Sequence, residues 1–195
     1  MAIHITSKTR SLKIKPTTLQ ELKSIIKKEL KRQGPDADLN FIDTSEITNM
    51  ESLFYKLDIR NILIDEWNVS NVNKMEDMFF ECEKLNCDLS GWDVSNVTNM
   101  NGMFYRCKNF SSDLSTWNVS NVTDMSSMFR YCSNFNSDLS KWDVSKVVDM
   151  RWMFEYCESF KSDLSGWDVS NVIININMFY KCNIEFEREL HPIFS

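Results

Sequence analysis

Glycine and proline are scarce, at 4 and 3 residues in a chain of 195, and histidine is scarcer still at 2. So few breakers argue against a loop-rich β-sandwich, and 43% apolar content argues against a disordered chain. No apolar run reaches the roughly 18 residues that a membrane-spanning helix needs. Also missing are G-x-S-x-G, a phosphate loop, a dinucleotide fingerprint and any C-x-x-C pair. With two histidines, His4 and His191, and no nucleophile beside either in sequence, no catalytic residue is assigned and no cofactor is implied.

What is abundant is methionine, phenylalanine and tryptophan, at 11, 13 and 6 residues. At this density they mean a packed interior whose gaps flexible thioethers can fill. Charge is unevenly placed. Residues 1–41 hold nine Lys/Arg against four Asp/Glu, which leaves thirteen against twenty-four in the rest. An acidic body disfavours nucleic acid, which needs a basic face. The basic start reads as the polar side of one helix.

The chain repeats itself. Trp67, Trp92, Trp117, Trp142 and Trp167 fall 25 residues apart, and Ile42 holds the same phase one period earlier. Counting from that residue as position 1, Val occupies position 3 (Val69 to Val169) and position 6 (Val72 to Val172). Position 9 is Met from Met50 to Met150 and then breaks to Asn175. Position 12 is Leu53 and then Met78 to Met178, while position 13 is Phe in all six copies, Phe54 to Phe179. Position 16 is Cys from Cys82 to Cys182, position 19 is Leu85, Phe110, Phe135 and Phe160, and position 23 is Leu89 to Leu164.

Positions 9, 12, 13, 16 and 19 step by three or four, which predicts one stripe of a helix. Between position 23 and position 3 the spacing predicts a short strand, as in Asp88-Leu-Ser-Gly-Trp-Asp-Val-Ser95. One such unit cannot bury its apolar sides alone, whereas stacked neighbours can. The expected fold is α/β: a right-handed, leucine-rich-repeat-like solenoid with one short parallel strand and one helix per 25-residue repeat. Strands need less room than helices, so the strand side is expected to be concave.

The unit W-D-V-S-N-V-T-N-M-x-x-M-F-x-x-C-x-x-F-x-x-D-L-S resembles the BspA-type surface-protein repeat, a divergent leucine-rich repeat of bacteria and mycoplasmas, across about residues 42–182. The resemblance implies an adhesin-like or partner-binding role at the cell surface. Met1-Ala-Ile-His-Ile-Thr-Ser-Lys lacks the apolar core of a signal peptide, so a cytoplasmic place is expected if the chain is complete.

Repeat stacks need caps. Residues 1–41 are expected to form the N-terminal one, residues 42–182 the six repeats and residues 183–195 the C-terminal cap. Ser11-Leu-Lys-Ile-Lys15 alternates like a strand, Thr18-Leu-Gln-Glu21 matches a capping box, and Leu19, Leu22, Ile26 and Leu30 make one apolar stripe before Gly34-Pro35. A membrane-surface helix is the alternative, because Lys23, Lys27, Lys28 and Lys31 fill the polar face. Phe186, Leu190 and Phe194 are expected to close the other end.

Each ladder carries two readings. The Cys ladder suggests metal or disulfides, but its phase beside Met and Phe makes buried thiols the stronger reading, and such thiols suit a reducing compartment or deep burial. The Trp ladder offers sugar stacking or core packing, and its phase points inward. Asp88, Asp113, Asp138 and Asp163 could hold calcium or bond backbone groups at a turn. Tyr55, Phe80, Tyr105, Tyr131, Tyr156 and Tyr180 make either an exposed aromatic stripe or a half-buried one. The candidate partner-binding row is position 2 with the Ser of position 4: Asn68, Ser70, Asp93, Ser95, Asn118, Ser120, Asp143, Ser145 and Asp168. These alternate with inward Trp and Val and should face outward. They form either an acidic groove for a protein partner or a solvated face bonded to its neighbours. The expected function is a non-enzymatic, monomeric, protein-binding module, with an intracellular scaffold or inhibitor using the same face as the alternative.

Overall fold

Residue 18 begins the first regular element, and its side chain explains why. The computed structural model describes residues 13–194. Thr18 Oγ1 accepts from the Glu21 amide at 3.2 Å, and the Glu21 carboxylate reaches back to the Thr17 amide at 2.8 Å. The predicted capping box therefore forms, displaced by one residue on its return arm. Helix α1 runs Leu19–Gln33 and stops at Gly34, whose amide makes the last helical bond to Leu30 O at 2.9 Å and whose φ of 84° turns the chain that follows out of the helix. Leu22 and Ile26 are buried against the repeats, so the apolar stripe is spent on the core rather than offered to a lipid surface. Of the strand expected over residues 11–15, Ile14 pairs in parallel with Ile42, and residues 11 and 12 lie outside the described residues.

The repeats stack in register. Backbone amides at positions 9, 11, 13 and 15 donate to carbonyls at positions 8, 10, 12 and 14 of the following repeat. Met100, Gly102, Phe104 and Arg106 thus bond Asp124, Ser126, Met128 and Arg130 at 2.8–3.0 Å. The same set recurs from Met50 to Tyr156. Residues 35–39 continue the phase upstream of Ile42, since Arg60 N donates to Pro35 O and Leu63 N to Ala37 O.

The helix expected in each repeat is not there. Among the described residues α1 is the only α-helix, and a 3-10 turn at Arg188–Leu190 is the only other helical element. Instead, amides at positions 12, 14, 16 and 19 bond carbonyls three residues back, as in Met103→Met100, Tyr105→Gly102, Cys107→Phe104 and Phe110→Cys107. A β-turn brings its first and fourth residues together. A string of turns therefore sets apolar residues three apart on one side, which mimics a helical stripe. The residues at positions 11 and 15, four apart, take positive φ in every repeat, from Ser52 and Lys56 to Asn177 and Lys181. That reversal keeps the chain from winding into a helix.

The expected strand is also reduced. Asp88–Ser95 forms no bridge; one parallel bridge per repeat falls at position 8, linking Asn49, Lys74, Asn99, Asp124, Asp149 and Ile174. Turns close this part of the repeat too, with Trp92 N bonding Leu89 O and Val97 N bonding Val94 O.

The interior is compact and periodic. Phe54, Phe79, Phe104, Phe129, Phe154 and Phe179 stack with centroids 5.2–5.8 Å apart and planes within 10°. Phe110, Phe135 and Phe160 lie against that column at 4.0–4.2 Å. The Trp ladder is core, as its phase implied, and it also closes a polar account. Each indole Nε1 donates to the position 23 carbonyl 28 residues earlier, for example Trp117 to Leu89 O at 3.0 Å. No helix is long and apolar enough to cross a membrane among the described residues.

Candidate functional site

Position 2 is exposed in the five Trp-bearing repeats, and position 4 is half-buried in four of them and exposed at Ser170. The first oxygen of Asn68, Asp93, Asn118, Asp143 and Asp168 accepts from the amide of Ser70, Ser95, Ser120, Ser145 and Ser170 at 3.1–3.2 Å. Each is an Asx turn, the side chain standing in for a backbone acceptor. The Ser95 hydroxyl and amide hold the Asp93 carboxyl below the usual carboxylate range, and the same partners act on Asp143 and Asp168. The residues singled out as a binding row are thus brought into one line. Position 5 ties the line together: Asn71, Asn96, Asn121 and Asn171 donate to Ser45, Ser70, Ser95 and Ser145 carbonyls of the preceding repeat at 2.7–2.8 Å.

The Asp row at position 22 takes the turn reading. Asp88, Asp113, Asp138 and Asp163 each accept from the amide two residues on at 2.9–3.0 Å. Hydroxyls of Ser137 and Ser162 donate to Asp113 and Asp138 of the repeat before and accept the Leu114 and Leu139 amides.

All six cysteines are free and buried. Four thiols donate to the position 13 carbonyl of the previous repeat: Cys82 to Phe54, Cys107 to Phe79, Cys132 to Phe104 and Cys157 to Phe129, at 2.9–3.0 Å. From Phe79 onward that carbonyl already accepts the amide of its own repeat's Cys, so the thiol fills the second lone pair. Cysteine suits the place because it is small, apolar and still a weak donor. Burial pushes Cys82 up to about 12 and Cys182 up to about 11, with the other four raised as well. A thiol raised that far is almost wholly protonated at pH 8, where only the thiolate reacts. The folded protein is therefore expected to leave a colorimetric thiol reagent nearly untouched at pH 8, and all six thiols to react once it is denatured. A fast native burst would mean that the stack opens.

The aromatic stripe falls between its two readings. Tyr55 and Tyr180 at its ends are 40% and 42% exposed, and the four rings between them are half-buried. Neighbouring centroids lie 4.4–5.9 Å apart from one end of the repeats to the other. Cations interleave with the rings: Lys56 lies 5.3 Å from the Tyr55 centroid, Arg106 and Arg130 lie 5.3 and 5.1 Å from that of Tyr131, and Lys181 lies 5.0 Å from that of Tyr156. Lys56 and Arg106 share Glu81 at 3.2 and 3.7 Å, and Arg130 pairs with the buried Glu155. Sequence reasoning did not find this partnership. Its signal was present in the recurring neighbours Tyr55-Lys56, Tyr105-Arg106, Arg130-Tyr131 and Tyr180-Lys181. Also unforeseen is an open groove of about 780 Å³ lined by Arg60, Asn61, Lys84, Asn86, Asn109 and Asn134 among others.

Periodic turns with these inward residues characterise the whole stack, and a family model coincides with it. The model described as Mycoplasma protein of unknown function, DUF285, matches residues 21–124 and 109–191. The chain belongs to this family. DUF285 is the BspA-like leucine-rich repeat family, in agreement with the resemblance carried by the 25-residue unit. No curated protein matches the chain, and no solved structure matches it. In this DUF285 member His191 belongs to no group of three or more His, Cys, Asp or Glu able to hold a metal among the described residues. Its ring stacks on Phe179 at 4.1 Å, and its Nε2 lies 2.7 Å from Ile184 O. His4 lies outside the described residues.

Proposed function

We propose that this DUF285 chain is a non-enzymatic module that binds a protein partner through the row Asn68, Asp93, Asn118, Asp143 and Asp168 and its serines. One observation carries the reading. Asn68 and Asn118 make the same turn bond as Asp93, Asp143 and Asp168, at indistinguishable distances. The amide oxygen suffices for the fold, so the three negative charges are surplus to it. Exposed, aligned and surplus charge steers and selects a partner with a basic surface. The reading takes the stack as a right-handed solenoid of the leucine-rich-repeat kind, with this row on its inner face and turns in place of the helix. Support for that comes from the 25-residue offset of the backbone bonds. An adhesin-like module and an intracellular scaffold or inhibitor would use the row alike.

The test follows from the turn chemistry. Charge reversal would break the turn along with the charge, whereas D93N/D143N/D168N keeps the acceptor. The triple variant is expected to melt like the parent, since surface changes of this kind stay within about 0.5 kcal/mol. Proteins captured by the parent chain from the source cell and its surroundings should be lost from the variant. Equal capture by both would exclude the row.

The aromatic stripe supports a second docking surface. Tyr, Trp and Arg are the residues enriched where proteins meet, and here Tyr105, Tyr131, Tyr156, Trp152, Arg106 and Arg130 run together.

A further inference from the structure

The last repeat is covered over only half of its end. Residues 184–191 fold back over Phe179 to Lys181, positions 13 to 15 of this repeat, and reach Leu164 of the repeat before. Leu190 O accepts the Leu164 amide at 2.8 Å, His191 lies over Phe179 where another Phe would stack, and Glu185 Oε2 accepts the Lys181 amide at 3.1 Å. Among the described residues nothing covers the half formed by residues 172–177 in this way. Val172 is half-buried, whereas its equivalents Val72, Val97, Val122 and Val147 are fully buried. One repeat earlier, Met150 and Trp152 donate their amides to Ile174 and Ile176 carbonyls at 2.7 and 2.9 Å. No described residue accepts from the matching amides of Asn175 and Asn177.

This end also holds the apolar surface that the rest of the molecule avoids. Ile173, Ile176, Phe186 and Ile193 are 80%, 59%, 87% and 89% exposed, and no other large apolar side chain among the described residues exceeds one half. Two of them lie in the uncovered stretch and two in the segment that follows it, and exposed apolar side chains in such number mark a contact surface.

We infer that the C-terminal end is a self-association surface, taken by a second copy of this chain about a twofold axis, against the monomer expected from the sequence. A twofold contact must be self-complementary, and this end is. It carries an uncovered half with amide donors at Asn175 and Asn177, and beside it a segment with exposed Phe186, Ile193 and the carboxylates of Glu187 and Glu189. Each copy's segment would cover the other copy's open half. Glu185 on the Lys181 amide shows, within one chain, that a carboxylate from this segment fits this row of donors. A head-to-tail stack is disfavoured because α1 lies over the opposite end, with Lys23, Lys27 and Leu30 beside Ser52, Leu53 and Tyr55.

Sedimentation of the whole chain over a concentration series tests this. The parent is expected to dimerise in the micromolar range. Phe186→Asp with Ile193→Asp, and separately Ile173→Asp with Ile176→Asp, should each weaken the dimer at least about tenfold while the monomer, melted below the dimerising concentration, is unchanged, because all four side chains face solvent in it. Hydrogen exchange on the parent gives a second reading that needs no variant: the Asn175 and Asn177 amides should gain protection as concentration rises. A parent that stays monomeric to about 500 µM, a dimer indifferent to both pairs of substitutions, or amides whose exchange ignores concentration would each overturn the inference.

Discussion

Phe104→Ala is expected to cost about 3–5 kcal/mol, a large part of the roughly 5–15 kcal/mol by which a domain is stable. Phe104 is fully buried and meets Phe79 and Phe129 of the adjoining repeats at 5.5 and 5.6 Å, Phe110 of its own at 4.2 Å and Trp117 at 6.3 Å. Truncation removes ring contacts on both sides at once and leaves a hole that the backbone cannot close. The amides of Phe104 and its neighbours are pinned every second residue to the next repeat. Phe179→Ala should cost less, because Phe179 has a Phe on one side and only His191 on the other. On the proposed solenoid reading, in which each repeat leans on its neighbours, a central defect should also divide the unfolding transition into two. Urea melts of both variants provide the comparison. A loss at Phe104 no greater than at Phe179 would mean that the column is not a shared core.

The inward ladders were legible because translation repeats the same chemistry at the same phase: Trp67 to Trp167, Phe54 to Phe179 and Cys82 to Cys182 all lie buried. What read poorly was the backbone between them. Met100, Met103, Phe104 and Cys107 carry a helical spacing, yet they sit at the corners of successive turns. The decisive signal would have been glycine or asparagine at the positive-φ positions, as at Gly102 and Asn177. Most copies instead place Ser52, Asp77, Ser127, Trp152, Tyr131 or Tyr156 there. Such residues hold that conformation only where the surroundings over-determine it, and here the surroundings are the neighbouring repeats. A local code for these turns is therefore weak in any single unit. The proposed binding row was legible as an outward line. Its turn bonds follow from Asp or Asn two residues before Ser; a backbone-bonding turn was read for the Asp of position 22 and not for position 2.

Length is the second place where a large effect is expected. Removing residues 104–128, one whole period, joins Met103 to Phe129 and leaves every position in phase. Phe79 should then stack on Phe129, Cys132 should donate to Phe79 O, and the shortened chain should unfold cooperatively with stability lowered by about one repeat. Removing residues 104–127 instead leaves one surplus residue between positions 12 and 13. The junction lies inside the run where alternate amides bond the next repeat, so no slack exists to bulge it out. Each inward Phe and Met beyond it would lose its place, and amides at positions 13 and 15 would lose their acceptors. Burying those groups unpaired costs about 1–3 kcal/mol apiece, which together rivals the stability of the whole stack. The 24-residue deletion is thus expected to melt far below the 25-residue one or to remain unfolded beyond the junction, by circular dichroism and amide exchange. Equal melting of the two would show that the repeats associate without a fixed register, and the hydrogen-bond ladder from Met50 to Tyr156 would then not be what holds them.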